Sequence, residues 1–177
     1  MNHKNIECKA KVAAIEPYEA ILKTKNTIFK GTDHQIDTYY KATFGRLKLR
    51  EGTIENALIQ YNRANTADAK LSEIILYQHQ PNDALKKILE TQIGIKIVVD
   101  KLRKIYFIDN VKFHFDEVKN LGTFIEIEAI DSNGTLSIEH LTEQCNFYIN
   151  LLGIKPEQFI DKSYSDLILE LNSEVSK

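Results

Sequence analysis

Several short segments of this chain place charged side chains at every second position. Glu7, Lys9 and Lys11 alternate with Ile6, Cys8, Ala10 and Val12, and Asn5 opens the same face. Arg46, Lys48 and Arg50 alternate with Leu47 and Leu49, and Lys101 and Arg103 share one parity. Lys112, His114 and Asp116 oppose Val111, Phe113 and Phe115, while Glu126 and Glu128 oppose Ile125 and Ile127. A less regular stretch, residues 58–63, ends on Arg63. Period two is the signature of strands with one apolar and one polar face. Basic side chains gathered on one side repel each other, and a bound polyanion would offset that repulsion. Arginine suits phosphate oxygens because its planar fork bonds them in pairs. Carboxylates in the same place make sense as holders of a divalent cation, since magnesium is bound through one or two carboxylates together with substrate phosphates. The plainer alternative is an antiparallel sheet with one face on the core and the charged face in water. On pattern alone both readings stand.

Three segments read as helices. One follows Pro17 and runs to about residue 26, with Tyr18, Ile21 and Leu22 apolar; proline is tolerated in a first turn because its missing N–H would be unpaired there. A second starts after Asn82 as N-cap, carries the stripe Leu85, Ile88, Leu89 and Ile93, and stops at Gly94. A third covers about residues 137–152, with Leu141, Cys145, Tyr148 and Leu152 on one face and Gly153 as its stop. A short helical tail is predicted over 165–171. The apolar stripes of these helices need cover, and the apolar strand faces supply it. The charged faces then look into open water or into a closed barrel.

The 177 residues suit one domain, 1–177, with room for a continuous core. No apolar run approaches the roughly 20 residues of a membrane-spanning helix, and residues 1–12 lack the apolar core of a signal peptide. No membrane association is expected, and the expected compartment is the cytoplasm. A net charge of −2 argues against non-specific nucleic-acid binding. Cys8 and Cys145 are too few for a disulfide framework and are expected as reduced thiols, with Cys8 in the core. No His or Cys spacing matches a zinc site.

The order of these segments resembles the CYTH superfamily, whose members include class IV adenylyl cyclases, thiamine triphosphatases and inorganic triphosphatases. Asn5, Glu7 and Lys9 match its opening E-x-E-x-K strand, followed by Lys11. Leu49–Glu51 resembles its basic strand, and Lys101-x-Arg103 followed by Tyr106 its K-x-R segment. Residues 114–128, HFDEVKNLGTFIEIE, resemble its most recognisable stretch. The tail Ser163–Leu167 fits the class IV cyclase-like branch. The resemblance implies an α+β fold, a closed eight-stranded antiparallel β-barrel with helices packed outside. It implies a lumen in which Lys9, Lys11, Arg46, Lys48, Arg50, Arg63, Lys101 and Arg103 bind a triphosphate and Glu7, Glu126 and Glu128 hold Mg2+ or Mn2+. Asp116 would ligate metal, recognise substrate or orient Arg50 or Lys101. His114 is a candidate acid–base or structural residue, and Asp37 and Tyr39 share a face that supports the barrel. The implied partner is ATP or another triphosphate, and a homodimer is a family-based expectation. The implied reaction is an adenylyl cyclase-like conversion of ATP to cyclic AMP and pyrophosphate; a triphosphatase and a non-catalytic binder are the alternatives. Asn5 departs from the family's first Glu and brings no charge to the metal. A lumen of converging cations also implies that removing Arg103 relieves repulsion in the empty site and spares the fold.

Overall fold

The computed structural model describes the backbone of residues 2–63 and 70–175 and the side chains of residues 4–62 and 72–174. In chain order the elements are β1 (Asn2–Val12), α1 (Glu16–Lys23), β2 (Ile28–Tyr40), β3 (Arg46–Gly52), β4 (Ala57–Arg63), β5 (Lys70–Gln78), α2 (Asp83–Gln92), β6 (Ile95–Ile108), β7 (Val111–Val118), β8 (Gly122–Asp131), α3 (Ile138–Leu152) and α4 (Tyr164–Val175). The strands close into one barrel in the order β1-β5-β4-β3-β2-β6-β7-β8. Every neighbouring pair is antiparallel. Closure removes the sheet edges that would otherwise need protection.

Alternation sends one face of each strand outward. Ile6, Cys8, Ala10 and Val12 of β1, Phe113 and Phe115 of β7, and Ile125 and Ile127 of β8 are buried against Leu22 of α1 and Leu141, Cys145 and Leu152 of α3. Leu49 of β3 packs with Leu89 and Leu85 of α2. The helix ends follow from local chemistry. Asn82 accepts from Ala84 N at 2.8 Å and Ser137 from His140 N at 3.1 Å, and each satisfies an otherwise orphaned first-turn amide. Gly153 ends α3 with φ 69°, the left-handed conformation glycine adopts without cost. Helix α1 stops at Lys23, short of residue 26, where the Thr24 and Lys25 amides turn to the carbonyls three residues back, Ile21 and Leu22. Helix α4 is longer than the tail read from sequence and begins on Tyr164.

Six of the eight strands carry the periodicity read from sequence; β2 and β5 do not. The buried positions at the middle of β2 are Asp33, Gln35 and Asp37, so its polar residues point inward and the usual pattern is inverted. In β5, Ile74 and Leu76 face in while Ile75 and Tyr77 face out, so both faces are apolar and nothing alternates.

Candidate functional site

The inward faces enclose a cavity of about 740 Å³. Asn5, Glu7 and Lys9 of β1, Lys48 and Arg50 of β3, Lys101 and Arg103 of β6, Lys112 and His114 of β7, and Glu126 and Glu128 of β8 all line it. The two-residue period is the whole reason these groups meet: each shares a parity that the outer apolar residues force inward.

The cations are held by carboxylates of the same lumen. Asp37, 1% exposed, is the hub. Its Oδ1 accepts from Arg50 Nε at 2.9 Å, and its Oδ2 accepts from Lys101 at 2.7 Å, Lys48 at 2.9 Å and a second Arg50 nitrogen at 3.0 Å. Burial alone would raise its pKa, but Arg50, Lys101 and Lys48 hold it well below the usual carboxylate range. Lys101 is the strained member of the group. Burial pushes it down to about 7, and Arg50, Arg103 and Lys48 add to that against the pull of Asp37.

A second group surrounds Arg103. Asp116 accepts from its Nε at 2.7 Å, and Glu126 accepts from its terminal nitrogen at 2.6 Å. Glu126 also pairs with Lys9 at 2.7 Å. Asp116 therefore orients Arg103, while Arg50 and Lys101 belong to Asp37. Tyr164, the first residue of α4, donates its hydroxyl to Asp116 at 2.7 Å, and the Lys9 ammonium sits 3.7 Å from its ring centre. With Tyr39, Tyr61, Val99 and Phe124, Tyr164 forms an apolar plug at one end of the barrel.

A third group comes from a turn. Gly52 and Asn56 exchange two hydrogen bonds, and Asp33 accepts from the Ile54 and Glu55 amides at 2.8 and 3.0 Å and from the Thr53 hydroxyl at 2.9 Å. This folds the β3–β4 turn inward, so that Glu55 takes Arg50 at 3.1 Å and, across the lumen, Lys112 of β7 at 2.6 Å. Among the described residues, Lys9, Lys48, Arg50, Lys101, Arg103 and Lys112 are each paired with one or more of Asp37, Glu55, Asp116 and Glu126, while Glu7, Glu128 and Lys30 also line the cavity. Among the described residues the lumenal cations are thus paired with carboxylates of the same lumen, so in the empty site they are not left to repel one another.

Potential metal donors cluster on β7 and β8. Ligand atoms of His114, Glu126 and Glu128 lie within 4.8 Å of one another. Burial, with Arg103 and Lys112 nearby, holds His114 down at about 3, so its ring is neutral and able to ligate. Burial raises Glu128 to about 7, with Glu7 and Glu126 adding to it against Lys112. Glu7 lines the cavity outside that cluster, directly opposite Glu128 in register. Like charges facing across a strand pair are destabilising unless something cationic lies near. The Asn5 Oδ1, buried on the same face, has no hydrogen-bond partner among the described residues. An orphaned oxygen beside opposed carboxylates fits a hard divalent cation.

Some predicted residues lie elsewhere. Lys11 is exposed, 5.8 Å from the Phe124 ring at the plugged end. Arg46 reaches Asp166 of α4 at 3.0 Å. The Arg63 side chain lies outside the described residues. Sequence reading passed over Glu55, Lys112, Asp33 and Tyr164 as site residues and left Asp37 as support. The parity of Lys112 with His114 and Asp116 was the one legible signal; Glu55 and Asp33 act through a turn that no periodicity marks.

No curated protein sequence matches the chain. Among solved structures, the PH1012 protein of Pyrococcus horikoshii OT3 is 24% identical with TM-score 0.77, covering 92% of this chain and 98% of that one. A conserved hypothetical protein of Pyrococcus furiosus is 20% identical with TM-score 0.78, over 92% and 99% of the two chains. A Vibrio parahaemolyticus protein named "putative adenylate cyclase" is 16% identical with TM-score 0.76, over 93% and 97%. At these identities the likeness establishes the fold. The family model for the CYTH domain matches residues 3–164, and with the closed barrel and its charged lumen this places the chain in the CYTH domain family.

Proposed function

We propose that this protein is an adenylyl cyclase-like lyase that takes ATP together with a divalent cation into the tunnel. CYTH proteins bind triphosphates and use divalent metals. One observation carries the reading for this chain: Arg50, Lys101 and Arg103 are enclosed in a closed lumen and tied to carboxylates of that lumen. A polyanion entering alone would leave these carboxylates without their cations, and a divalent cation entering with it gives them a partner and offsets part of the added charge.

In this reading Lys9, Lys48, Arg50, Lys101 and Arg103 turn from their carboxylates to the β- and γ-phosphate oxygens. They stabilise the charge that develops as the ribose 3′-oxygen bonds the α-phosphorus and pyrophosphate leaves, the hydroxyl proton passing to solvent. Glu7, Glu126, Glu128 and His114 would hold Mg2+ or Mn2+, with Asn5 offering a neutral oxygen. When bound, the ion polarises phosphate oxygens. In the empty tunnel Asp116, anchored by the Tyr164 hydroxyl, holds Arg103 until the phosphates replace it. The likeness to the Vibrio protein named for this activity supports the choice of reaction.

The cage grips phosphates without marking which phosphorus meets a nucleophile, and this favours a second reading, a triphosphatase in which water attacks the terminal phosphorus. Turnover of ATP, thiamine triphosphate and inorganic triphosphate with Mg2+ or Mn2+ decides between them. Cyclic AMP with pyrophosphate supports the lyase, and orthophosphate alone replaces it with the triphosphatase. Tight binding without either product refutes both and leaves a binding module, as the neutral Asn5 would suit.

A further inference from the structure

The two ends of the tunnel differ. Strand β3 starts at Arg46, which reaches Asp166 of α4, and runs away from that helix to Gly52. Strand β7 runs the other way, from Val111 to Val118, and Val118 packs with Tyr164 in the plug. The β3–β4 turn and Lys112 therefore stand at the ends of their strands remote from α4. There Glu55 joins them. Its Oε1 accepts from Lys112 at 2.6 Å and its Oε2 from Arg50 at 3.1 Å, with the Gln35 amide nitrogen 3.3 Å from the same Oε2. Strands β2 and β6 lie between β3 and β7 in the closed order, so this bridge is a chord across the mouth and not a contact between neighbouring strands.

Two features set Glu55 apart from the other carboxylates that hold lumenal cations. Its backbone is fixed. Asp33 takes the Ile54 and Glu55 amides, and Ile54 lies so close over Gly31 of β2 that a Cβ there would come within 2.8 Å of its Cδ1. Its side chain, by contrast, has water to turn to: it is 28% exposed, against 1% for Asp37, 0% for Asp116 and 13% for Glu126. A buried carboxylate that loses its cations is left uncompensated, whereas one at the rim can be hydrated.

Resting on the triphosphate reading above, we propose that Glu55 is an autoinhibitory latch: in the empty barrel its carboxylate holds the place of a phosphate between Arg50 and Lys112, and a ligand gains those two cations only when the side chain swings out to water. The turn stays in place and one side chain moves. Carboxylate and phosphate oxygens compete for the same donors, since both accept charge-assisted bonds from guanidinium and ammonium groups. The latch keeps Arg50 and Lys112 paired while the tunnel is empty, and a ligand loses affinity in proportion to the time the mouth is shut. A mouth open about a tenth of the time weakens apparent affinity about tenfold.

The test compares wild type with Glu55→Gln, Glu55→Asp and Asp109→Asn by calorimetric binding of inorganic triphosphate with Mg2+, at low salt and at about 0.5 M salt, where charges across open solvent are screened. Glu55→Asp keeps the charge but is shorter by one C–C bond, about 1.5 Å, and cannot span Arg50 and Lys112 together. Asp109, exposed on the turn between β6 and β7 at the same end, is the control: Asp109→Asn removes a charge there without touching the bridge, and its φ of 49° suits asparagine. Both Glu55 variants are expected to bind triphosphate about fivefold or more tighter than wild type at either salt, and Asp109→Asn to stay within about twofold. If Glu55→Gln tightens binding only at low salt and Glu55→Asp does not tighten it at all, Glu55 acts merely as a charge at the mouth, and the latch is overturned. If either Glu55 variant weakens triphosphate, the carboxylate serves the bound state, and the latch is equally overturned. If wild type binds and no variant differs from it, the latch fails while the triphosphate reading stands. If neither wild type nor any variant binds, the triphosphate reading fails and takes the latch with it.

Discussion

Asp37→Asn is the sharpest perturbation of the cage, because it removes one charge at nearly constant shape. Asp37 accepts four hydrogen bonds from three cations, at 2.7–3.0 Å, inside a closed barrel. The asparagine oxygen keeps part of this, but its NH2 group turns two donor hydrogens toward donors. Losing one partner of a buried ion pair costs about 3–5 kcal/mol. Two features hold the loss to the lower end. The cavity admits water, and Lys48 is 11% exposed at its side chain. Lys101 is already pushed down to about 7 and surrenders its proton first when its carboxylate goes. An apo destabilisation of about 3 kcal/mol follows, which leaves a folded protein out of a typical 5–15 kcal/mol. For a chain of this length, each kcal/mol moves Tm by about 2–4 °C, so Tm should fall by about 6–12 °C.

The same substitution should act in the opposite direction on anion binding. Asp37 competes with a phosphate oxygen for Arg50, Lys48 and Lys101. If a bound triphosphate recovers half of the lost 3 kcal/mol, affinity rises about tenfold, since 1.4 kcal/mol is one decade. Melting curves of both proteins against inorganic triphosphate and Mg2+, at pH 6 and low salt, with calorimetric affinities alongside, read both effects. The signature is a lower apo Tm combined with a larger ligand-induced rise. An unchanged apo Tm would show that Asp37 does not hold the cations. A lowered Tm with no gain in triphosphate affinity would show that the freed cations do not face a ligand, and the cage argument would fail.

Other perturbations test neighbouring parts of the lumen. Arg103→Ala leaves Asp116 buried without its main partner and Glu126 with Lys9 as its remaining cation, and should destabilise the apo protein by about 3–5 kcal/mol, read by urea denaturation; an unperturbed midpoint would refute the pairing. Because the folded pKa of Lys101 is lowered, the folded state holds fewer protons than the unfolded state from about 7 up to the ordinary lysine value. Apo stability should therefore rise with pH across that window, and Lys101→Met should flatten the rise. Asn5→Glu adds a carboxylate beside the Glu7–Glu128 pair, so it should lower Tm in EDTA and raise the Tm gain from Mn2+; equal metal response in both proteins would place position 5 away from the ion. At Gly52 a Cβ would come within 2.5 Å of the Glu55 carbonyl and 2.8 Å of Asp33, so Gly52→Ala should cost about 1–3 kcal/mol and loosen Glu55. Its melting temperature checks this.

The barrel was legible where hydrophobicity alternates and illegible where the lumen reverses the rule. In β1, β3, β7 and β8 the apolar parity packs under a helix, so the outward face is the hydrophobic one and the pattern reads cleanly. At the middle of β2 the buried residues are Asp33, Gln35 and Asp37, and burial there is achieved by hydrogen bonds rather than by apolar area. In β5, Ile74 and Leu76 pack inward in the cluster of Tyr39, Val99, Phe124 and Tyr164 while Ile75 and Tyr77 are exposed. Both failures mark the interior of a site, where local preference yields to what the lumen must hold.

The sign of the Arg103 prediction shows why residue types alone mislead about a charged interior. From sequence, Arg46, Lys48, Arg50, Lys101 and Arg103 are a run of cations, and truncating one should relieve the others. Low dielectric does not permit such an ensemble to wait for its ligand, because each unpaired buried charge costs several kcal/mol. The fold therefore supplies provisional anions from places that period-two counting cannot relate to the basic strands: Asp37 from a strand with inverted polarity, and Glu55 from a turn pinned by Asp33. Asp116 and Glu126 meet Arg103 only because β7 lies between β6 and β8. Arg103 is held at one end by Asp116, itself anchored by Tyr164, so truncating it should cost stability and affinity together. In this cage a ligand-binding residue is also a structural one, and the carboxylates that stabilise the empty barrel are the groups an incoming triphosphate must displace.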